Sequence, residues 1–451
     1  MRNAQAVTMD NAPLNKFHYK MAAYTLIGHS IDGYIIAMMS FIMVKIIPAL
    51  NMSPLWQGLI GSSPLIGIFL GSLIFGKLCD TIGRQKIYTW HFVVLIVASF
   101  LQFFVNDAAL LFVLRLILGI SIGAEYAVGV TLLAEFTPTK ARSLFLGLNL
   151  STFAIGSTIG GLVSYFTIDM SPDAWRWILA SSGVLGIITM FFRAGAPESP
   201  RWLISQGRID EAREVVRKYI GPEVSIDNLI EDQKLATQAP GQELSGIRQL
   251  FSQKYWKSTL FIGIYYMISV LPSFALGPFL PIIFMSMGFS GTAAFGATVL
   301  TYFCNIIFST VAAAITDKFK RRTLAIFSLT FMAIPLIIIG IWTDMLPPIL
   351  IIILYIAAQF SSYAGGALTN IYPVEMYPTN LRGAGKGLST ALSRVGSVIG
   401  SFLVPIVQSG YGVSAVILMI SFACVLGAIV TIAWAPETRG KDLSALETAS
   451  E

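Results

Sequence analysis

Residues 134–148 read AEFTPTKARSLFLGL, and residues 374–388 read VEMYPTNLRGAGKGL. The two stretches share residues at aligned positions with a constant offset of 240 residues, as from Glu135 to Glu375. The matched pairs are Glu135/Glu375, Pro138/Pro378, Thr139/Thr379, Arg142/Arg382, Gly147/Gly387 and Leu148/Leu388. A repeat of this length within one chain predicts that a single structural unit has been duplicated.

The composition of the chain is that of a membrane protein. Of its 451 residues, 55% are hydrophobic and only 12% are charged, whereas soluble domains carry about 25% charged residues. Apolar blocks of about 20 residues recur along the sequence, which is the length that an α-helix needs to span a bilayer. The net charge of +6 does not indicate nucleic-acid binding, because the basic residues lie mostly in short loops, where they set membrane orientation.

The apolar blocks predict an all-α polytopic membrane protein with twelve transmembrane helices in two pseudo-symmetric six-helix bundles. The expected spans are 21–48, 56–78, 86–105, 109–134, 143–167, 175–194, 257–286, 292–315, 323–343, 348–374, 384–408 and 412–434. We expect four regions: an N-terminal bundle (1–195), a cytoplasmic central loop with short helices (196–255), a C-terminal bundle (256–435) and a cytoplasmic tail (436–451).

The central loop contains its own helix signals. Ser199 followed by Pro200 is typical of a helix start, with the serine as cap and the proline at the first helical position. Residues 209–219 predict a charged surface helix, and residues 221–245 predict a looser linker. The first apolar stretch is too long for a cleavable signal peptide and is expected to remain as span 1.

Basic residues are concentrated in the turns on one side of the predicted bundle. They are Lys77, Arg84, Lys86, Lys140, Arg142, Lys318, Lys320, Arg321, Arg322, Arg382 and Lys386. The opposite turns are short and carry Asp107, Asp169, Asp173 and Asp344, with Arg176 as an exception. This asymmetry predicts that both termini lie in the cytoplasm.

Two further motif pairs support the duplication. The stretch from Asp80 to Lys86 has a degraded counterpart from Asp317 to Arg322, and Pro197-Glu198-Ser199 matches Pro436-Glu437-Thr438. Duplicated halves in an apolar chain are typical of transporters, in which the substrate passes between the halves.

These motifs resemble the major facilitator superfamily over nearly the whole chain. The stretch 76–86 (GKLCDTIGRQK) matches that superfamily's loop between spans two and three. The stretches 197–203 (PESPRWL) and 436–440 (PETRG) resemble the sugar-porter branch and its relatives: organic-ion transporters, aromatic-acid/proton symporters and synaptic-vesicle-protein-like carriers. The resemblance implies alternating access of a central site in the inner membrane.

The chain departs from this branch at two places. Sugar porters usually carry a glutamine-rich motif in span seven, whereas residues 265–278 contain neither glutamine nor asparagine. Aromatic-acid symporters often carry two aspartates in span one, whereas residues 30–35 contain only Asp32. The first departure argues against a sugar, and the second leaves Asp32 as the single aspartate of that stretch.

Ionisable residues within spans are costly and are therefore candidates for function. Asp32, with His29 on the same helix face, is expected to couple protons or bind substrate, because a carboxylate between apolar surroundings and a cation can load and release a proton. The alternative is a static ion pair. Arg115 begins a stretch in which Gly119 and Gly123 let another helix approach. This stretch resembles the span-four motif of proton-coupled sugar porters, which implies a switchable Asp32–Arg115 pair.

Glu125 and Arg394 are the other charged candidates. Glu125, followed by Tyr126, is expected to attract an organic cation or bind a second proton, with an ion pair to Arg394 as the alternative. Arg394 begins a polar stripe that continues at Ser397, Ser401 and Gln408. The stripe favours a cavity wall in which Arg394 anchors a carboxylate, although polar contacts between helices would give the same pattern.

The uncharged candidates lie in spans that resemble cavity-lining spans of this superfamily, where each is an expected substrate contact or a packing residue. They are Asn149, Tyr265, Tyr266, Phe274, Asn305, Gln359, Tyr363 and Asn370. Pro272, Gly277, Pro278 and Pro281 predict a break in span seven, and Gly365-Gly366 predicts one in span ten.

A second charged set lies at the predicted cytoplasmic helix ends. Its members are Asp80, Arg84, Glu135, Arg142, Glu198, Asp317, Glu375, Arg382 and Glu437. We expect ion pairs between spans that close the inner face in one conformational state, so that these residues act as conformational latches and not as ligands.

The sequence predicts a proton-coupled secondary transporter of a small organic or aromatic acid or an organic cation, acting as a monomer in the lipid bilayer. A sugar or polyol transporter and a receptor-like homologue that does not transport are the alternatives. No cofactor, metal or nucleic acid is expected, because the cysteines Cys79, Cys304 and Cys424 lack metal-ligand spacing and their odd number argues against a full disulfide framework. No catalytic constellation indicates an enzyme.

Overall fold

The computed structural model describes residues 7–237, 248–316, 318–377 and 379–439, and these are almost entirely helical. Spans 1 to 6 are Lys16–Ala49, Pro54–Ile82, Arg84–Leu101 with a 3-10 turn at Gln102–Phe104, Ala108–Phe136, Thr139–Thr167 and Ala174–Arg193. Spans 8 to 10 are Gly291–Thr316, Arg321–Trp342 and Pro348–Met376. The last long helix, Thr379–Trp434, is interrupted at Gly412, whose φ of 82° separates spans 11 and 12.

Span 7 is a broken helix. It consists of Trp256–Ser269, Leu271–Leu276, a 3-10 turn at Gly277–Phe279 and Leu280–Ser286. The break confirms the prediction from its prolines, because a proline lacks the N–H that the helix ladder needs. The prediction for span 10 is wrong, since one continuous helix passes through Gly365 and Gly366.

Glycines set the close packing of the first half. A Cβ placed on Gly67 of span 2 would lie 2.7 Å from the Cα of Gly119 on span 4, and a Cβ on Gly123 would lie 2.9 Å from the Cα of Gly71. The expected close approach at Gly119 and Gly123 is therefore present. Without these four hydrogen-only side chains, spans 2 and 4 could not bring their backbones into contact.

The two halves contact each other through side chains of several spans. We call the side with the helix ends at residues 16, 193, 256 and 434 the terminal face, and the other side the opposite face. Toward the opposite face, Ser40 bonds to Tyr302 at 3.1 Å, and the rings of Phe41 and Phe295 are 5.3 Å apart. The two halves also contact each other nearer the terminal face, where the hydroxyls of Ser151 in span 5 and Ser309 in span 8 bond at 3.0 Å.

The central segment forms helices Pro200–Ser205, Ile209–Tyr219 and Asp227–Thr237 on the terminal face. Ser199 caps the first of them, accepting a hydrogen bond from the Trp202 N–H at 3.3 Å. The expected linker over 221–245 is thus partly helical. The N-terminal stretch is fastened to this segment, since the Asn15 side chain donates to the carbonyls of Tyr219 and Ile220 at 2.9 Å each.

Candidate substrate and proton sites

A cavity of about 140 Å³ lies between the two halves. Spans 1 and 5 contribute Ile36, Ala37, Phe153 and Ser157, while spans 7, 8 and 10 contribute the opposing wall. Four of the predicted residues line it: Phe274, Asn305, Gln359 and Tyr363. Because both halves form its walls, any rocking of one half against the other changes the shape of this cavity.

Some polar groups at the cavity are bonded within the protein, and others are not. The Gln359 Oε1 accepts from Ser273 at 3.2 Å, and Ser362 donates to the Ser269 carbonyl at 2.7 Å. The Asn305 Oδ1 and the Tyr355 hydroxyl are buried and have no hydrogen-bond partner among the described residues. Buried polar atoms normally have partners, so these two are candidate ligand contacts. Sequence reasoning missed Ser273 and Tyr355, which have no motif to mark them.

Three of the uncharged candidates do not line the cavity. Tyr265 is fully buried inside the second half, where its hydroxyl contacts Ser328 at 3.1 Å and donates to the Gly365 carbonyl at 3.2 Å. The Tyr266 hydroxyl accepts from Lys386 at 3.3 Å. Asn149 lies beside Leu150, a lining residue, but its own buried Oδ1 has no described partner. The side chain of Asn370 lies outside the described part of the structure.

Glu125 is the centre of a buried charged cluster inside the first half. Arg193 of span 6 binds it through two parallel bonds, Nη1 to Oε2 at 2.5 Å and Nη2 to Oε1 at 2.7 Å. The Nε2 of His91 lies 3.0 Å from Oε2, and the Nδ1 of His29 lies 3.6 Å from Oε1. Arg193 and Glu125 are 0% and 1% exposed, respectively. The partner of Glu125 is therefore Arg193, not Arg394, in this conformation.

Sequence reasoning missed Arg193 and His91. Arg193 stands at the end of its span, where an arginine usually reaches the membrane surface. Its guanidinium instead turns inward, 3.9 Å above the ring of Tyr88, and donates to the Tyr24 carbonyl. The histidines, which are far apart in sequence, come together on one carboxylate.

Asp32 and Arg115 are both buried, at 2% and 1% exposure, but they are not paired. Among the described residues, the Asp32 Oδ2 has no hydrogen-bond partner, and neither do the Nε and Nη1 of Arg115. The Nη2 of Arg115 donates to the Ile35 carbonyl at 3.4 Å. The expected Asp32–Arg115 ion pair is therefore not formed in this conformation.

Arg394 connects the two halves through aromatic rings. Its guanidinium carbon lies 5.4 Å from the ring of Tyr126 in the first half and 5.6 Å from that of Phe274 in span 7. The Tyr126 ring in turn contacts His29 edge-on at 5.1 Å. In the polar stripe after Arg394, Ser397 donates to the Ser393 carbonyl of its own helix, and Gln408 donates to Ser286 of span 7. The buried Ser401 hydroxyl has no hydrogen-bond partner among the described residues. None of these three residues lines the central cavity.

The terminal face of the first half holds a network of charged residues, which we call the first network. Arg84 pairs with Glu135 and, at 3.5 Å, with Asp80. Ser199 also donates to Glu135. Glu198 accepts from the backbone N–H of Arg84 at 3.0 Å and of Gln85 at 3.1 Å, which caps span 3.

The second half repeats this arrangement in what we call the second network. Arg321 pairs with Glu375 at 3.2 Å, and Thr438 donates to Glu375 at 2.5 Å. Glu437 accepts from the N–H of Arg321 at 3.0 Å and of Arg322 at 3.2 Å, capping span 9. Arg321, Ser199 and Thr438 were not among the expected latch residues, although the degraded repeat 317–322 contained the signal for Arg321.

The remaining latch candidates are not members of the two networks as far as the structure describes them. Arg142 pairs with Asp10 of the N-terminal stretch at 2.7 Å and donates to the Thr137 carbonyl at 3.2 Å. Asp317 and the side chain of Arg382 lie outside the described part of the structure. Each network lies within one half, so a role in closing the inner face stays a prediction. The described residues contain no His/Cys/Asp/Glu group suited to a metal ion.

The known proteins to which the chain is similar are named as transport proteins. A family model described as "Sugar (and other) transporter" matches residues 10–449. The chain is 35% identical over 443 residues to the inner membrane metabolite transport protein YgcS of Escherichia coli, covering 98% of this chain and 97% of that protein. It is 26% identical over 451 residues to the niacin transporter NiaP of Acinetobacter baylyi, covering 97% and 98%.

Solved structures show the same fold. The partially occluded inward open xylose transporter XylE of E. coli superimposes with a TM-score of 0.77 at 20% identity, covering 95% of this chain and 100% of that chain. At this level of identity, the likeness concerns the fold and not the ligand.

Proposed function

The chain belongs to the sugar (and other) transporter family of the major facilitator superfamily, and from this premise we propose that it moves a small organic ion by proton-coupled alternating access. The family assignment confirms the predicted fold class and the predicted membership in the major facilitator superfamily. The chain is a multi-pass membrane transport protein. We place it in the inner membrane with both termini, and hence the terminal face, in the cytoplasm.

One observation carries the proposal: a cavity between the halves lies one helical turn from a buried carboxylate with a free oxygen. Asp32 and the cavity residue Ile36 are four residues apart on span 1 and share a helix face. The Oδ2 of Asp32 has no partner among the described residues, although Asp32 is only 2% exposed. A carboxylate in such surroundings is costly when charged, so protonation and release can be linked to the opening of the halves.

Relatives support proton coupling and a metabolite substrate without fixing the substrate. Their names include an arabinose-proton symporter of Bacillus subtilis, 28% identical, and a niacin transporter. By contrast, Glu125 is bound by Arg193 and two histidines, so we assign it a structural role in holding spans 1, 3, 4 and 6 together. Asp32 is therefore the proposed proton site.

A sugar or polyol is the second candidate substrate. The unpartnered Asn305 Oδ1 and Tyr355 hydroxyl, with Gln359 nearby, offer the uncharged hydrogen-bonding groups that a polyhydroxylated ligand needs. An organic ion is favoured over it because span 7 presents no amide side chain between residues 265 and 278.

The test uses the purified protein in proteoliposomes. A thermal-shift screen of organic acids, organic cations and sugars selects ligands, and uptake of each ligand is then measured with and without an imposed pH gradient. We expect Asp32→Asn to abolish accumulation driven by the gradient while exchange of substrate across the membrane continues. Asp169→Asn is the matched control, because Asp169 is 69% exposed at the opposite face, where it pairs with Lys45.

Three outcomes would contradict the proposal. Full pH-dependent accumulation by Asp32→Asn would remove Asp32 from coupling. Saturable uptake of a neutral hexose or pentose that no charged compound inhibits would favour the sugar transporter. Binding without any accumulation would indicate the receptor-like homologue.

A further inference from the structure

Arg115 is a buried arginine for which the described part of the structure provides no carboxylate partner. It is 1% exposed, and its Nε and Nη1 have no hydrogen-bond partner among the described residues. Within the described ranges, its one hydrogen bond is a long one, donated by Nη2 to the Ile35 carbonyl at 3.4 Å. Removing a guanidinium from water without a counter-charge is strongly unfavourable. Arg193 lies in the same half, and there the chain provides Glu125 as a bidentate partner.

The unpaired guanidinium faces the boundary between the halves. A small cavity of about 20 Å³ lies there, lined by Arg115 and Gly61 from the first half and by Pro278 of span 7. Three of its lining residues, Ile36, Ser273 and Phe274, also line the central cavity. The two cavities therefore adjoin, and the Phe274 ring stands where they meet.

The described lining of the two cavities carries one charged side chain. Among the described residues that line them, Arg115 is the charged one, and the remainder are apolar or carry hydroxyl or amide groups. Arg394 lines neither cavity. Its guanidinium lies beside the rings of Tyr126 and Phe274. One cation in an otherwise neutral, largely apolar space matches a ligand with a single negative charge.

We propose that Arg115 binds the carboxylate of the substrate, and that the substrate is a small monocarboxylate whose apolar or aromatic body occupies the central cavity. This inference rests on the proposed transport function and narrows its substrate class. The planar guanidinium can hold a carboxylate through two parallel N–H···O bonds. The small cavity has room for about one water molecule, which is less than a carboxylate needs. The Phe274 ring, which stands where the two cavities meet, therefore moves aside when the carboxylate binds at Arg115. Bound there, the substrate contacts Arg115 of the first half and span 7 of the second.

The test compares acids with amides of the same shape. Binding of benzoate, benzamide, nicotinate and nicotinamide to the purified full-length protein is measured by calorimetry at neutral pH. We expect the wild type to bind at least one acid about tenfold or more tightly than its amide, as befits a charge-assisted bond. In Arg115→Met this ratio falls to about one.

Two further variants keep the test decisive. Arg115→Lys retains the positive charge but loses the planar fork, so we expect an intermediate ratio even if Arg115→Met does not fold. Arg394→Met removes the arginine that lies beside the Phe274 ring, and this variant is expected to keep the acid-to-amide ratio of the wild type. D-xylose is measured alongside as the neutral sugar.

The inference is overturned if Arg394→Met removes the preference for acids while Arg115→Met keeps it, or if no acid in the panel binds the wild type. Its failure is distinct from failure of the proposed function. Gradient-driven uptake of a sugar or a cation would leave transport intact and refute the monocarboxylate. Binding of acids through Arg115 without any uptake would support the monocarboxylate site and refute the proposed transport function.

Discussion

The two networks on the terminal face and the charges inside the bundle differ in one respect: the former are duplicated and the latter are not. Arg84, Glu135 and Ser199 in the first half correspond to Arg321, Glu375 and Thr438 in the second. Asp32, Arg115 and the Glu125–Arg193 pair have no such counterparts among the described residues. The helix ends are therefore held by equivalent interactions in both halves, whereas the proposed ligand and proton chemistry depends on charged residues that occur in only one half.

The largest expected effect comes from breaking the unduplicated pair. Glu125→Gln leaves the Arg193 charge buried without its partner, and such a loss costs about 3 to 5 kcal/mol. We expect a large drop in the thermal unfolding temperature of the purified protein. The double variant Glu125→Gln with Arg193→Met removes both charges and should recover part of the loss. If the single variant unfolds at the wild-type temperature, the pair does not stabilise the first half.

A smaller effect, equal in the two halves, is expected from the networks. Glu135→Gln and Glu375→Gln each weaken bonds from an arginine and from a hydroxyl, so each should lower the free energy of unfolding by about 1 to 3 kcal/mol. Glu214→Gln, on the exposed face of helix Ile209–Tyr219, serves as the control with the same substitution. A loss several times larger in one half than in the other would show that the sequence repeat does not carry an energetic repeat.

The smallest effect concerns the helix caps, and one of them has a defined pH dependence. Burial raises the pKa of Glu437, but the backbone N–H groups of Arg439, Arg321 and Arg322, together with the charge of Lys320, lower it by more, so that the pKa lies below its ordinary value. A depressed folded-state pKa means that the stabilisation is complete above the ordinary carboxyl pKa and is lost as the pH falls through the folded-state value.

We therefore expect Glu437→Ala to cost about 1 kcal/mol at neutral pH. The variant should also reduce the loss of stability on acidification, measured by thermal unfolding across the acidic range. Glu198→Ala, which removes the corresponding cap of span 3, should match it at neutral pH. The comparison between the halves is weakened if only one of the two substitutions has an effect.

Much of the architecture could be predicted from the sequence because bilayer thickness imposes a length and a hydrophobicity on every span. The break in span 7 was also predictable, since its prolines lack the backbone N–H that a helix needs. The continuous span 10 was not, because glycine permits a break without requiring one. The helix Asp227–Thr237 was missed because its polar sequence has no regular spacing of apolar residues that would indicate a helix.

The candidate site was less predictable than the fold. Four of the expected contacts, Phe274, Asn305, Gln359 and Tyr363, line the cavity, whereas Tyr265 and Tyr266 are bonded inside the second half. These residues occur in similar spans with similar polarity. What separates them is the rotation of each helix about its axis, which only its packing neighbours determine.

The sequence by itself determined the membrane class, the duplication, the family and the buried charges at Asp32, Arg115 and Glu125, but not the buried charge of Arg193. Only the tertiary structure decided which of those charges are neutralised. Glu125 meets Arg193, His29 and His91 because four separate spans converge on it, while Arg115 meets no carboxylate among the described residues. Burial follows from composition along one helix, but pairing depends on the distances between side chains of different helices, and no local pattern encodes those distances.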